Sequence, residues 1–403
     1  MEKVLTFFKE NWKITLIIIG VIFLLLFFCF FGKISDYFFE NNKTQGELLK
    51  VFLTAIAGIV AVFVWHTGYK RVKVMEKQTE KTAEQIQVMY KENVDTRFNN
   101  AVGHLGNEKH SIILGGIHAL HEIAVENKNY RQIVHNIFCS YIRENSAKLY
   151  EKVDFEKMPD YCPVIIQTLI DYLFQPYNYE DSVYKDFESD LSFSTLKNCD
   201  FSNVKIKNVN FRNCVLESCY FAAGTLTECD FDYGTLTECS FSDGTLTNCS
   251  FSAGTLTECS FYDGTLTNCY FYTGTLTECS CYVGTLTNCH FYAVTLTNYE
   301  FSDVTLTKCS FSDVTLTKCE FNEGALKSCN FYAVTLTNCS FYAVTLTNCS
   351  FYDVTLTECK FNEGALESCN FYRTKLNNCD FEYTKLINTE LPPNENKQKN
   401  NNI

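Results

Sequence analysis

Cys239-Ser240-Phe241-Ser242-Asp243-Gly244-Thr245-Leu246-Thr247-Asn248 is followed at once by Cys249-Ser250-Phe251-Ser252-Ala253-Gly254-Thr255-Leu256-Thr257-Glu258, and this ten-residue beat runs with few substitutions from about Cys219 to Phe371. Each beat is two five-residue units, one centred on Phe and the next on Leu, and degenerate units extend the series from Leu191 to Leu391. Two residues before each centre stands a thiol or a small side chain, Cys before Phe and Gly or Val before Leu. The remaining positions are mostly Ser, Thr, Asn, Asp, Glu or Tyr.

A helix turns about 100° per residue, so apolar centres five apart would wander around it and never form a face. A straight strand would send Phe241 and Leu246 to opposite faces, because side chains alternate with period two. Both can point inward only if the chain turns a corner in every unit. The backbone then winds into a solenoid around the Phe, Leu and Cys side chains, each coil pairing with its neighbours.

This pattern resembles the pentapeptide repeat family, in which a small residue, any residue, Leu or Phe and two further residues recur. The resemblance implies a mainly β fold, a right-handed quadrilateral β-helix with four units per coil, so that residues twenty apart stack. The centres from 191 to 391 then make about ten coils, a rod of about 48 Å at the usual strand spacing. Phe241, Phe261, Phe321, Phe341 and Phe361 are expected in one internal column. Cys281 stands where a Phe belongs and Tyr299 where a Cys belongs, so local repacking is expected there.

Of 22 cysteines, all but Cys29, Cys139 and Cys162 lie between Cys199 and Cys379, nearly all at the inward position of a unit. They read as packing residues, since free Cys behaves as a small buried hydrophobe and no CxxC pairs suggest a metal. Each repeat Gly is likewise inward, where a missing side chain gives room, so there is no phosphate-binding loop. His118, His121 and Glu122 lack metalloprotease spacing and read as helix-surface residues. The repeats contain only His290 to partner their many hydroxyls. The sequence therefore points to no enzyme, no cofactor and no metal.

Residues 14–31 form an apolar run broken only by Thr15, and residues 51–69 a second interrupted by Thr, Gly and His66. Both are long enough to cross a bilayer. Lys3, Lys9 and Lys13 precede the first, and Lys70, Arg71, Lys73, Lys77 and Lys81 follow the second. By the positive-inside rule both termini face the cytoplasm, and thiols there stay reduced. Residues 70–96 read as a cytoplasmic linker helix with a weak seam of Val72, Met75, Thr79, Ala83, Ile86 and Met89 or Tyr90, a route to weak homo-oligomers through 72–93. Helices are expected at 97–105, 111–127, 130–145 and 163–174. Arg97-Phe98-Asn99-Asn100-Ala101-Val102-Gly103-His104-Leu105-Gly106 and Leu114-Gly115-Gly116-Ile117-His118-Ala119-Leu120-His121-Glu122-Ile123-Ala124 look like the helical segment before the repeats in membrane-anchored bacterial members of the family. The expected organisation is a two-helix transmembrane hairpin (1–69), linker helix (70–96), small α-helical capping region (97–180), β-helix (181–391) and disordered tail (392–403). The resemblance implies a two-span bacterial inner-membrane protein.

The repeats carry 23 acidic and 11 basic residues from Ser189 to Pro392, which is −12 of the chain's net −13. An acidic rod repels phosphates, so direct nucleic-acid binding is not expected. Family members that confer fluoroquinolone resistance are acidic rods that occupy the DNA groove of topoisomerases, which gives a rival reading as a DNA mimic binding a topoisomerase or another DNA-binding protein. Lys308, Lys318 and Lys327 interrupt the acids here. The primary expectation is a membrane-anchored, non-catalytic scaffold for an unidentified protein partner. If residues twenty apart stack, Tyr272, Tyr292, Tyr332, Tyr352 and Tyr372 make one outward stripe broken by Ser312, with Tyr270 and His290 beside it. Tyr offers large amphipathic contact area, so these seven residues are the candidate partner-binding set.

Overall fold

The computed structural model describes residues 20–23, 25–26, 42–151, 161–174 and 182–395. Most of the expected first span (14–31) and the last residues of the tail (396–403) lie outside them. The chain divides into two units, Met1–Glu92 and Asn93–Ile403.

In the first unit the dominant element is a helix that begins at Asn42 and continues to Leu105 (α1). The expected span, linker and first cap helix are thus not separate elements. No proline stands between Asn42 and Leu105, and Lys, Glu, Gln, Ala and Met dominate residues 70–92, so nothing breaks the hydrogen-bond ladder. Among the described residues one helix is long and apolar enough to cross a membrane, with an 18-residue window of mean hydropathy 2.0 that is 0% buried. The expected hairpin is not seen, because most of its first helix falls on undescribed sequence. Helical threonines bond back to their own backbone, as Thr67 Oγ1 does to the Phe63 carbonyl at 2.9 Å.

The second unit opens with the last turns of α1, residues 93–105, followed by His110–Glu126 (α2), Arg131–Tyr150 (α3) and Val164–Phe174 (α4). Ile117, Leu120, Phe138, Ile142, Ile166 and Leu169 are fully buried among them. This core is continuous with that of the β-helix, and the Phe174 ring lies tilted against Phe201 at 6.0 Å.

From the first coil to Ile387 the pairings of the β-helix are parallel and shifted by twenty residues, as Leu266 pairs with Leu286 and Phe271 with Phe291. The two Leu sides form sheets of ten and eleven strands. In nearly every unit before the last coil the centre and the residue two before it are buried, giving about ten turns of solenoid, whereas Leu386 in the last coil is exposed. Phe221 and Phe241 stack at 4.9 Å and Phe231 and Phe251 at 4.8 Å, whereas Phe221 meets Phe231 edge to face at 5.9 Å and 87°. Each ring therefore combines a parallel stack along the axis with a perpendicular contact across it, the two arrangements favoured by the ring quadrupole. Cross-core contacts lengthen from 5.8 Å for Phe241–Phe251 to 6.4 Å for Phe301–Phe311. The change coincides with Val294, Val304 and Val314 replacing glycine, because isopropyl groups demand room.

Corners fall on every fifth residue from Phe193 to Asn388, all with φ near +55° and none a glycine. The repeat glycines sit instead at the inward position, where a Cβ added to the present backbone would be crowded: at Gly244 it would meet the Phe241 carbonyl at 2.8 Å. Most inward thiols donate toward a leucine carbonyl of the preceding coil, as Cys249 does to Leu226 at 3.5 Å. At the far end Thr389 takes the place of a thiol and donates to the Leu366 carbonyl at 3.0 Å, while Thr374, in the column of Val354, donates to the Phe351 carbonyl at 2.8 Å. The tail differs from expectation at its start. Asn394–Glu395 pairs with Leu376 and Asn377, so ordered chain continues past Pro392-Pro393.

The Cys281 and Tyr299 departures answer one another. Phe301 stacks on Phe321 at 4.7 Å, and Tyr299 lies at 4.3 Å from Phe301, tilted by 31°. With one face of Phe301 taken by Phe321, the Tyr299 ring covers the other, at the level where Cys281 leaves out an aromatic ring. Both are buried, and burial pushes the Cys281 thiol up to about 12.

Candidate partner-binding face

The two Phe sides differ. On the Phe271–Phe351 side, strands at 270–272, 290–292, 310–312, 330–332 and 350–352 form a five-stranded sheet, while the opposite side pairs through isolated bridges such as Ser260 with Ser280. The outward residues of the five strands include most of the candidate set. Register places Tyr270 beside His290 and Tyr272 beside Tyr292, then Tyr292 beside Ser312, Ser312 beside Tyr332 and Tyr332 beside Tyr352. Alternation in each strand puts Phe271, Phe291, Phe331 and Phe351 inward and the flanking residues outward.

The rings touch one another. Tyr270 stacks on His290 at 5.4 Å, and Tyr272 meets Tyr292 edge to face at 6.0 Å. Beyond the Ser312 gap, Tyr332, Tyr352 and Tyr372 stack at 5.4 Å per step. Tyr292, Tyr332 and Tyr372 are 48%, 50% and 57% exposed, so about half of each side chain remains open to a partner. Tyr352 is half-buried, since Arg373 reaches its hydroxyl at 3.4 Å. Sequence reading passed over Arg373; its place one coil beyond Tyr352 was the available signal. The geometry thus brings the seven candidates together on one side, in two clusters separated by Ser312. The rival Tyr262–Tyr282 pair on the other Phe side stacks at 5.6 Å but continues into Ser302 and Asn322.

Toward the helices the same side becomes ionic. Arg212 Nη1 contacts Asp230 at 2.9 Å and Asp232 at 3.0 Å, and its guanidinium lies 5.1 Å from the Tyr233 ring.

The cap histidines are packing groups. His121 stacks on Tyr172 at 3.8 Å and lies 3.3 Å from the Tyr184 hydroxyl, while His118 contacts the Tyr172 hydroxyl. His135, which sequence reading did not single out, lies 2.9 Å from the Ser189 hydroxyl at the start of the solenoid. Burial holds both His121 and His135 below the ordinary histidine value.

Parallel coils, inward Phe, Leu and Cys and one corner per five residues define a β-helical repeat protein. The pentapeptide-repeat family model matches eight copies, over residues 187–221, 326–362 and 356–391, and supports that family for the solenoid. No curated protein sequence matches the chain. Among solved structures, it is similar to HetL, a pentapeptide repeat protein involved in heterocyst differentiation regulation from the cyanobacterium Nostoc sp. strain PCC 7120, with 17% identity and a TM-score of 0.28 over 50% of this chain and 86% of that one. Full-length QnrB1, a plasmid-mediated fluoroquinolone resistance protein, matches at 12% identity and a TM-score of 0.25 over 46% of this chain and 85% of its own. The A-module of the mannuronan C-5 epimerase AlgE4 from Azotobacter vinelandii matches at 8% identity and a TM-score of 0.20, covering 51% and 78%.

Proposed function

We propose that this chain is a non-catalytic, membrane-anchored scaffold whose β-helix holds a protein partner against the Tyr270–Tyr372 side. The observation that carries the reading is the run of open aromatic rings on one Phe side, which combines rigidity with large contact area. In this reading the anchor consists of the apolar part of α1 together with residues 14–31, and the basic residues on both flanks support cytoplasmic termini. The likeness to membrane-anchored bacterial family members supports an inner-membrane location.

Replacing Tyr292, Tyr332 and Tyr352 together by Ser, in the full chain purified from detergent extract, separates binding from stiffening. Loss of co-purifying protein with an unchanged melt supports the scaffold. A lower melt with every partner retained assigns the rings to rod stability, where cross-strand pairs contribute about 0.2–1 kcal/mol each.

A second reading, the acidic DNA mimic, draws on Glu238, Glu258 and Glu278, which occupy one corner on three successive coils. Asn298 and then Lys318 follow in the same column and end that ridge. Recovery of a topoisomerase that is lost on Glu→Gln exchange at these three positions, and kept in the Tyr variant, favours mimicry over the aromatic face.

A further inference from the structure

From Arg71 to Asn93, α1 carries three heptads in an unbroken frame. Val72, Thr79, Ile86 and Asn93 fall at the first core position of the repeat, and Met75, Thr82 and Met89 at the fourth. Lys73, Lys77, Glu84 and Lys91 fall on outer positions. Every member of the seam is open to water in the single chain, with Val72 at 54%, Met75 at 68%, Ile86 at 61% and Met89 at 67% exposure. The threonines fit an apolar seam better than their composition suggests. Thr79 Oγ1 donates to the Met75 carbonyl at 2.9 Å and Thr82 Oγ1 to Gln78 at 2.8 Å, so each hydroxyl is satisfied within its own helix.

We infer that a second copy of this chain covers the seam, the two helices running side by side in the same direction as a two-stranded coiled coil. Three features select that occupant. β-Branched Val72, Thr79 and Ile86 at the first core position favour parallel dimers, and Asn93 at the same position favours a single register. Arg71, flanking one edge of the seam, faces Glu76 of the second copy across the other edge, twice by symmetry. Of the other edge residues, Gln78, Ala83, Gln85 and Tyr90 are uncharged and Glu92 falls opposite Arg97 of the second copy, so no like charges oppose pairing. The common direction rests on the membrane-anchored reading, since two helices leaving one bilayer face run the same way. Three heptads with two threonines bind weakly in solution, and confinement to a bilayer raises the effective concentration that compensates. The dimer presents two aromatic sides together.

Single variants Val72→Cys, Thr79→Cys and Met89→Cys of the full chain, oxidised in native membranes with copper phenanthroline, test the inference against the outer-position variants Lys77→Cys and Glu84→Cys and the unaltered chain. Each seam variant is expected to give a disulfide-linked dimer, and both outer variants to stay at the level of the unaltered chain. Equal cross-linking at all five positions, or none at the three seam positions, overturns the seam. Dimer that forms only when Val72→Cys and Met89→Cys chains are mixed overturns the parallel direction. Because cysteine could disturb the seam, the pair Thr79→Ile with Thr82→Leu should raise chemically cross-linked dimer and Ile86→Glu should abolish it; unchanged yield in both also overturns the proposal. Partner retention is read separately, so loss of the dimer with partner kept leaves the scaffold reading standing.

Discussion

The side-chain amide of Gln167 on α4 replaces a peptide unit of a coil that would precede the first: its Nε2 donates to the Asp200 carbonyl at 2.9 Å and its Oε1 accepts the Asp200 N–H at 3.0 Å. Tyr150 on α3 does the same for Lys197, its hydroxyl accepting the N–H and donating to the carbonyl, both at 2.9 Å. Ser146 takes the Thr195 N–H at 3.1 Å. An open strand edge invites further strands, and these side chains close it. Gln167→Leu and Tyr150→Phe keep volume and strand the backbone groups, so each should cost about 1–3 kcal/mol and promote end-to-end aggregation, read by thermal melt and light scattering of the full chain in detergent. Unchanged behaviour in both would mean that water satisfies the edge equally well.

The Cys281 and Tyr299 exchange should behave as a coupled pair. Tyr299→Cys alone leaves a void beside Phe301, and Cys281→Phe alone overfills the site; both should destabilise, the first by about 3 kcal/mol. The double variant restores the repeat pattern and should recover much of the loss, with a coupling of about 1–3 kcal/mol in a double-mutant cycle. Additive effects would show that Tyr299 does not fill that space.

Val283 is β-branched, 43% exposed and held at φ 59°. A branched side chain is strained there, whereas Asn tolerates the left-handed region. Val283→Asn should stabilise the rod by about 1 kcal/mol, measured as a raised unfolding midpoint; a lowered midpoint would mean that Val283 packing outweighs the backbone strain.

Stability of the capping helices should depend on pH through His121 and His135. Burial lowers both below 6.5, so the unfolded chain binds their protons more tightly than the folded one. The stabilisation is complete above about pH 6.5 and is lost as the pH falls through that value toward the lowered ones. The melting temperature of the full chain should fall over that window, and His135→Asn should flatten the fall. A profile identical to that of the unaltered chain would remove His135 from the account.

The solenoid was legible because its information is periodic: twenty-residue stacking, the inward Phe, Leu and Cys columns and the aromatic side all follow from one spacing. What escaped is not periodic. Gln167 and Tyr150 reach the first coil from helices whose docking no local pattern reports. The filling of the Cys281 level by Tyr299 depends on which way one ring turns. The continuity of α1 was hidden because a change from apolar to polar composition looks like a boundary, although neither composition ends a helix. Corner positions held by Glu, Lys and even Val283 were unreadable from turn chemistry, since the pairing of neighbouring coils overrides residue preference.

Register by twenties also governs how the gene can change length. Because Leu266 sees Leu246 and Leu286 in equivalent surroundings, duplication or loss of one whole coil leaves every face where it was and merely alters reach. Duplication of a single ten-residue beat is a different event. It rotates everything downstream by half a circuit, so one placed between Ser312 and Tyr332 would carry Tyr332, Tyr352 and Tyr372 to the side now holding Tyr262 and Tyr282. Recombination within so repetitive a gene can therefore lengthen the molecule with little structural penalty, while half-steps cut one adhesive strip into two that face opposite ways.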